Sequence, residues 1–377
     1  MSSTGHKQLP STYKGLLFTS ASVQPEVTSI PTPQVDVGSI IVRPLYSWVA
    51  AYADEIYTNG NPRGMNLQFP IVGGANAIGR VAAVPADAAS LKVGDLVTIE
   101  PLIRARDDPE SKFLLAMLSG FTSGAQKMSA DVYHHGTWAE LVKVPLENVH
   151  RFDEAALQRQ GVTPRDLGFF GQLAVPYGGL RDVNLTAGET VLITAATGNF
   201  GGGAVHVALA MGASVIAMGR NEAILSELKK LAPGRVETVQ LSGSFESDVA
   251  ALEKFGPVDV FLDFTPPQAT NTDHIRAGIM SVRHGGRVSL MGGIQELTVP
   301  YILIMLKGLT LKGTMMYTRA QAQDLIKMIE TGVLKLGEKA GLKVKGVFSL
   351  RDGEKAIEVA GKEAGAGRAV FIAPNDE

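Results

Sequence analysis

The sequence predicts an α/β protein of two domains, a compact β-barrel followed by a doubly wound parallel sheet. Three observations carry this prediction. Up to about Val149 the chain reads as short strands parted by turn signals. From about Asp166 it alternates apolar strands with helical stretches, the pattern of a parallel sheet covered by helices. Within that second region, TVLITAATGNFGGGAVHVALAMGASVIAMGR (Thr190 to Arg220) runs strand, small-residue loop, helix and second strand.

In chain order, SIIVRPL, GRVAAV, VGDLVTIE and TWAELVKVP are the barrel's expected strands, with Gly-Asp at the tight turn of LKVGDLVTI. The segment from Arg104 to His135 carries no motif. Its length suggests a lobe or lid, and FLLAML suits an oily lining or a helix packed on the barrel. TVLIT, SVIAM, VDVFLDF, GRVSLMG and LTLKGT lack polar alternation and so read as strands buried on both faces. NEAILSELKKLA and TNTDHIRAGIMSV are the helices between them. After Tyr317 come a helix, RAQAQDLIKMIETG, and a tail closing on the strand AVFIA, expected to rejoin the first domain. The expected domains are 1–165, 166–316 and a returning segment 317–377.

Composition narrows the function. A net charge of −2 gives no basic field for nucleic acid or an anionic membrane. No run approaches the ~20 apolar residues of a membrane span. The opening MSSTGHKQLP lacks the basic flank and apolar core of a signal peptide, so a cytoplasmic location is expected. With no cysteine there is no thiol nucleophile and no thiolate ligand. The histidines show no HxH or HxxxH spacing, and the adjacent pair His134-His135 is poorly placed to aim at one ion. No metal is expected.

The loop Ala196-Thr197-Gly198-Asn199-Phe200-Gly201 has the AxGxxG form of a dinucleotide site. Gly198 removes a β-carbon where a pyrophosphate approaches, and Gly201 lets the helix pack close on its strand. The helix N-terminus then offers N–H groups and the positive end of its dipole. Ala196 replaces the usual first glycine, which is tolerable if the turn there keeps a negative φ. About twenty residues on, an NAD site places Asp or Glu to hold the ribose 2′-hydroxyl. Here Gly219-Arg220-Asn221 stands instead. Without the acid nothing repels a 2′-phosphate, and Arg220 supplies a planar donor fork, so NADP(H) is the expected cofactor.

These motifs resemble the medium-chain dehydrogenase/reductase family. GGANAIGRVAAV resembles its Gly-His-Glu-x-x-Gly-x-Val segment, VGDLVTI its Gly-Asp-x-Val turn, and HGGRVSLMGG and GAGRAVFI follow in the family's order. The resemblance implies a GroES-like substrate domain and a Rossmann domain. It also implies nicotinamide-side and ribose-side contacts at Phe264, Thr265, Met291, Gly292, Gly293, Thr314, Met315 and Arg368. The departures matter as much. Where zinc-dependent members carry Cys-x-Ser/Thr-Asp, this chain has Ala51, Tyr52, Ala53 and Asp54. Their His-Glu pair becomes Ala75-Asn76, and their cysteine lobe has no counterpart. The expectation is a zinc-free member.

Loss of a Lewis acid withdraws several kcal/mol from an alkoxide, whereas hydride delivery to a carbonyl-conjugated C=C or a quinone needs only hydrogen-bond donors and a proton source. Enone or quinone reduction is therefore expected, with ketone or secondary-alcohol chemistry as the alternative. Tyr52 is the candidate proton donor, Asp54 an orienting carboxylate and Asn76 a substrate donor. Tyr57, His134 and His135 are further pocket candidates. The substrate is a small-molecule carbonyl compound that the sequence does not specify. A nucleotide-binding sensor without turnover stays open, and a methyltransferase is disfavoured by Gly219-Arg220. The apolar run TVPYILIMLKGLTL exceeds what one buried strand needs, and with the family's edge pairing it implies a homodimer.

Overall fold

The computed structural model describes residues 9–375, so part of the opening read for a signal peptide lies outside the described residues. The chain forms two compact units. One holds the chain up to Gly168 together with Val344–Glu363 and the segment from Ala369; the other holds Phe169–Lys343 and Ala364–Arg368.

The first unit is a β-barrel. Its strands are β1 (Thr12–Phe18), β2 (Glu26–Pro31), β3 (Ser39–Trp48), β4 (Ile71–Val72), β5 (Ala77–Ala83) and β6 (Leu96–Ile99). They continue with β7 (Leu102–Arg104), β8 (Lys112–Leu114), β9 (Val142–Pro145) and β10 (Val149–Arg151). Helices α1 (Ala53–Tyr57), α2 (Ser123–Asp131), α3 (Glu154–Gln160) and α4 (Pro164–Leu167) are short. The segment from Arg104 thus supplies β8, which closes a small hairpin with β7, and α2; Leu115 and Ala116 of FLLAML lie in the barrel core. That core centres on Phe18, Tyr57 and Trp138, whose rings meet at 4.8–6.0 Å. Gly73 and Gly74 let the indole lie against the backbone, since a Cβ on either would fall 2.5 Å from it.

The second unit opens on α5 (Phe170–Asp182) and continues β11 (Thr190–Thr194), α6 (Asn199–Ala210), β12 (Ser214–Gly219) and α7 (Glu222–Lys229). Next come β13 (Val236–Gln240), α8 (Phe245–Glu253), β14 (Val258–Asp263), α9 (Asp273–Ser281) and β15 (Val282–Leu290). It ends with α10 (Tyr301–Lys307), β16 (Thr310–Gly313) and α11 (Arg319–Glu330). Its six strands are parallel in the order β13-β12-β11-β14-β15-β16, so the connections reverse direction between β11 and β14. In open α/β sheets, ligands bind beyond the carboxyl ends of the strands at such a switch. The glycines of α6 are costly in a helix but allow close approach. A Cβ on Gly203 would fall 2.2 Å from the Gln172 carbonyl oxygen of α5.

The tail makes β17 (Lys343–Phe348), α12 (Gly353–Lys362) and β18 (Arg368–Ile372). β18 sits between β3 and β17, with Phe371 opposite Trp48. The apolar run around Ile302 is not one extended strand. It is helix α10 followed by edge strand β16, and Tyr301, Ile302, Met305 and Leu306 of the helix stand 58–78% exposed. Among the described residues no helix is long and apolar enough to cross a membrane.

Candidate functional site: a nucleotide loop and an uncommitted tyrosine

In the second unit, β11 ends at Thr194 and the chain turns into α6 through Ala195–Gly198. The left-handed residue of this turn is Ala195, at φ 52°, and not Ala196. Ala196 is buried and its N–H donates to Met218 of β12, so an alanine fits at the fingerprint's first position. Gly198 is exposed at the N-cap of α6, donates to the Ala195 carbonyl and brings no side chain across the helix end. Gly201 is pressed on the turn, where a Cβ would lie 2.2 Å from the Ala195 oxygen. Gly219 admits Thr197, whose methyl would be 2.6 Å from a Cβ there. This open, small-residue helix end fits the phosphates of a dinucleotide.

Several predicted contacts have structural partners of their own. The Asn199 amide donates to the carbonyls of Gly365 and Arg368, and Asn221 caps α7 by accepting from Ile224 N–H. Phe200 stacks on Phe264 at 6.1 Å. The Arg368 guanidinium lies 3.4 Å from Glu227, and Thr314 donates to Asp182. Met291 packs on α5 at Gly179, where a Cβ would touch its sulfur, while Met315 is exposed. Arg220 is exposed and, among the described residues, forms no ion pair or hydrogen bond.

A buried network missed by the sequence reading ties the strand ends together. Asp263 Oδ1 accepts from the Thr194 hydroxyl at 2.7 Å, and from the Thr265 hydroxyl and N–H at 2.5 and 3.1 Å. The Thr265 hydroxyl lies 2.7 Å from His274 Nε2, so with its proton on Asp263 it accepts from that nitrogen. Burial holds the His274 ring below its ordinary pKa. Gly293 N–H donates to the Thr265 carbonyl, and Gly292 leaves room for Asp263 Oδ2. The loops after β11, β14 and β15 are thereby held in one arrangement.

In the first unit, Tyr52 and Asp54 stand at the start of α1 and Asn76 just before β5. The Asp54 carbonyl accepts from Thr58 and Asn59 N–H groups. The Asn76 carbonyl accepts from Ser47 and Thr137 at 3.0 and 3.1 Å. Tyr57 differs from the expectation of a pocket residue. It is fully buried, donates to the Ala116 carbonyl at 2.8 Å and belongs to the aromatic core. The histidines are held by backbone as well. His134 nitrogens lie 2.7 and 3.2 Å from the Pro70 and Ser129 carbonyls. His135 Nδ1 accepts from Val72 N–H, and burial pushes its pKa down to about 4. The Tyr52 hydroxyl is different again: among the described residues it makes no hydrogen bond. Burial raises its pKa, the nearby Arg63 charge lowers it, and Glu55 raises it. Among the described residues, no three His, Cys, Asp or Glu side chains converge as a metal site.

Two family models match the chain: the alcohol dehydrogenase GroES-like domain over residues 39–154 and the zinc-binding dehydrogenase over residues 200–331. A probable D-xylulose reductase A from Aspergillus clavatus is 26% identical over 90% of each chain. An acryloyl-coenzyme A reductase from Metallosphaera sedula is also 26% identical, over 82% of this chain and 86% of that one. The crystal structure of 2R,3R-butanediol dehydrogenase from Bacillus subtilis shares the fold, with a TM-score of 0.75 at 18% identity over 96% and 100% of the two chains. A GroES-like barrel joined to a Rossmann sheet defines a two-domain, nicotinamide-type oxidoreductase. The chain belongs to the medium-chain dehydrogenase/reductase family.

Proposed function

We propose that the protein is a zinc-independent, NADPH-dependent reductase acting on a C=C conjugated to a carbonyl, or on a quinone. The observation that carries this reading is the pairing of alanines at the metal-ligand positions, Ala51 and Ala75, with an uncommitted tyrosine hydroxyl between them in sequence. Bound NADPH supplies the hydride. Gly198 and the first turn of α6 hold its pyrophosphate, and Arg220 holds the 2′-phosphate. Tyr52 donates a proton to the oxygen on which negative charge develops, Asp54 orients the start of α1, and Asn76 steadies the carbonyl. Thr197, Gly219, Phe264 and Thr265 shape the ribose side, while Met291, Gly292, Gly293, Thr314 and Met315 form the nicotinamide side. The likeness to an acryloyl-coenzyme A reductase supports the unsaturated substrate class. The D-xylulose reductase likeness favours ketone or alcohol chemistry as the second reading. A cytoplasmic location is part of the proposal.

A fluorescence titration with NADPH, followed by nicotinamide absorbance over enones, quinones and ketones, tests the reading. Turnover of enones or quinones ahead of saturated ketones is the expected result. Arg220→Ala should weaken NADPH about tenfold to a hundredfold while leaving NADH nearly unchanged, because a charge-assisted bond contributes about 1.5–3 kcal/mol. An unaltered preference between the two cofactors would reject NADP(H) specificity.

The exposed apolar face of α10 beside the free edge of β16 supports a homodimer. Multi-angle light scattering should give twice the chain mass; a monomer at micromolar concentration ends that expectation.

A further inference from the structure

The loop between α1 and β4 places a cation on the candidate proton donor. The Arg63 guanidinium carbon lies 4.1 Å from the centroid of the Tyr52 ring, over its face. Its Nε is 2.7 Å from Glu55 Oε2, and the arginine side chain is only 11% exposed. Glu55 sits three residues after Tyr52, within α1, so helix and loop grip the guanidinium from two sides. A planar cation stacked on an aromatic face contributes about 0.5–2 kcal/mol, more as water is excluded. An arginine fixed by a carboxylate spends little further side-chain entropy in holding that stack.

We propose that Arg63 is a positioning residue for Tyr52: it clamps the ring so that the free hydroxyl keeps one orientation, and its charge stabilises the phenolate formed on proton transfer. This inference rests on the reading of Tyr52 as proton donor. In the step, the Tyr52 O–H bond breaks as a new O–H bond forms on the substrate oxygen, which has gained charge from hydride addition at carbon. The electron pair stays on the Tyr52 oxygen, at the edge of the ring that the guanidinium covers, and a proton from water later restores the phenol. Glu55 aims the guanidinium and keeps the pair neutral overall while the phenol is protonated. Nothing in the sequence pattern marks Arg63, which lies in the loop NGNPRGMN, far from any motif.

The test follows Tyr52 directly in the cofactor-free protein. With 13Cζ-labelled tyrosine, the Tyr52 signal is assigned by its loss in Tyr52→Phe and titrated in the parent, Arg63→Gln and Arg63→Lys. Arg63→Gln should titrate at higher pH than the parent. Arg63→Lys, which keeps the charge and loses the planar stack, should fall between them and guard against a folding artefact. With NADPH and the best substrate of the panel, Arg63→Gln should lower kcat about tenfold or more, within the usual range for acid–base catalysis, at unchanged NADPH affinity. An unshifted phenol titration in Arg63→Gln overturns the clamp whatever Tyr52 does in turnover. A shifted titration with unchanged kcat overturns the catalytic use of the clamp. Tyr52→Phe then shows whether the donor assignment fell with it, by staying fully active.

Discussion

Tyr52→Phe is expected to lower kcat by a hundredfold or more while leaving NADPH affinity within about twofold. A positioned proton donor contributes about 10²–10⁴ in rate, and phenylalanine keeps the ring that Arg63 covers. The hydroxyl makes no hydrogen bond among the described residues, so its removal costs the fold little. Core damage would behave differently. Tyr57→Phe removes a donor from the Ala116 carbonyl and an acceptor facing Gly74 N–H, so it should lower stability before activity. Steady-state kinetics beside thermal melts separate the two cases. A fully active Tyr52→Phe protein would move the proton source elsewhere.

Gly201→Ala should cost about 3 kcal/mol and abolish tight NADPH binding. The new methyl would meet the Ala195 oxygen at 2.2 Å and the backbone carbons of Ala195 and Ala196 at 2.7 Å. Backbone cannot turn aside as a flexible side chain can, so α6 must lift from β11, at the upper end of overpacking costs. In a unit of this size that lowers Tm by roughly 10 °C. Gly198→Ala is the contrast. Its nearest neighbour would be the Ala195 oxygen at 3.3 Å, a tight contact relieved by a small shift, so it should lose far less stability than Gly201→Ala while the phosphate approach is narrowed. Calorimetry with and without NADPH distinguishes the pair, and equal melting of Gly201→Ala and parent would refute the close-packing account.

The parts of this molecule governed by local pattern were legible in the sequence. The five parallel strands named from apolar runs, the helices at Glu222–Lys229 and Asp273–Ser281, and the closing strand all stand where periodicity put them. So does the glycine loop, because strand, turn and helix there are encoded by adjacent residues. Long-range side-chain contacts were not legible. Tyr52 and Tyr57 look alike in sequence, yet one packs beneath Trp138 and the other leaves its hydroxyl open. Arg63 meets Tyr52 through a loop with no motif, and His274 reaches Thr265 from a helix whose pattern shows only its buried face. The stretch around Ile302 carries no element predicted from sequence because an apolar run of that length suits helix and strand equally, and the αL residue Gly308 ends the helix there.

The pairing of β18 with β3 fixes the order in which the chain can mature. Trp48 emerges early from the ribosome, but its hydrogen-bonding neighbour, Phe371, is made only after the whole parallel sheet has been synthesised. The nucleotide-binding unit, drawn almost entirely from one continuous stretch, has its strands available sooner. The last pairing of the barrel therefore joins residues at great sequence distance, the kind of contact that carries the largest loop-closure cost. Until then the Ser47–Trp48 end of β3 lacks its β18 neighbour, while β5 and β9 are already there to pair with the rest of the strand.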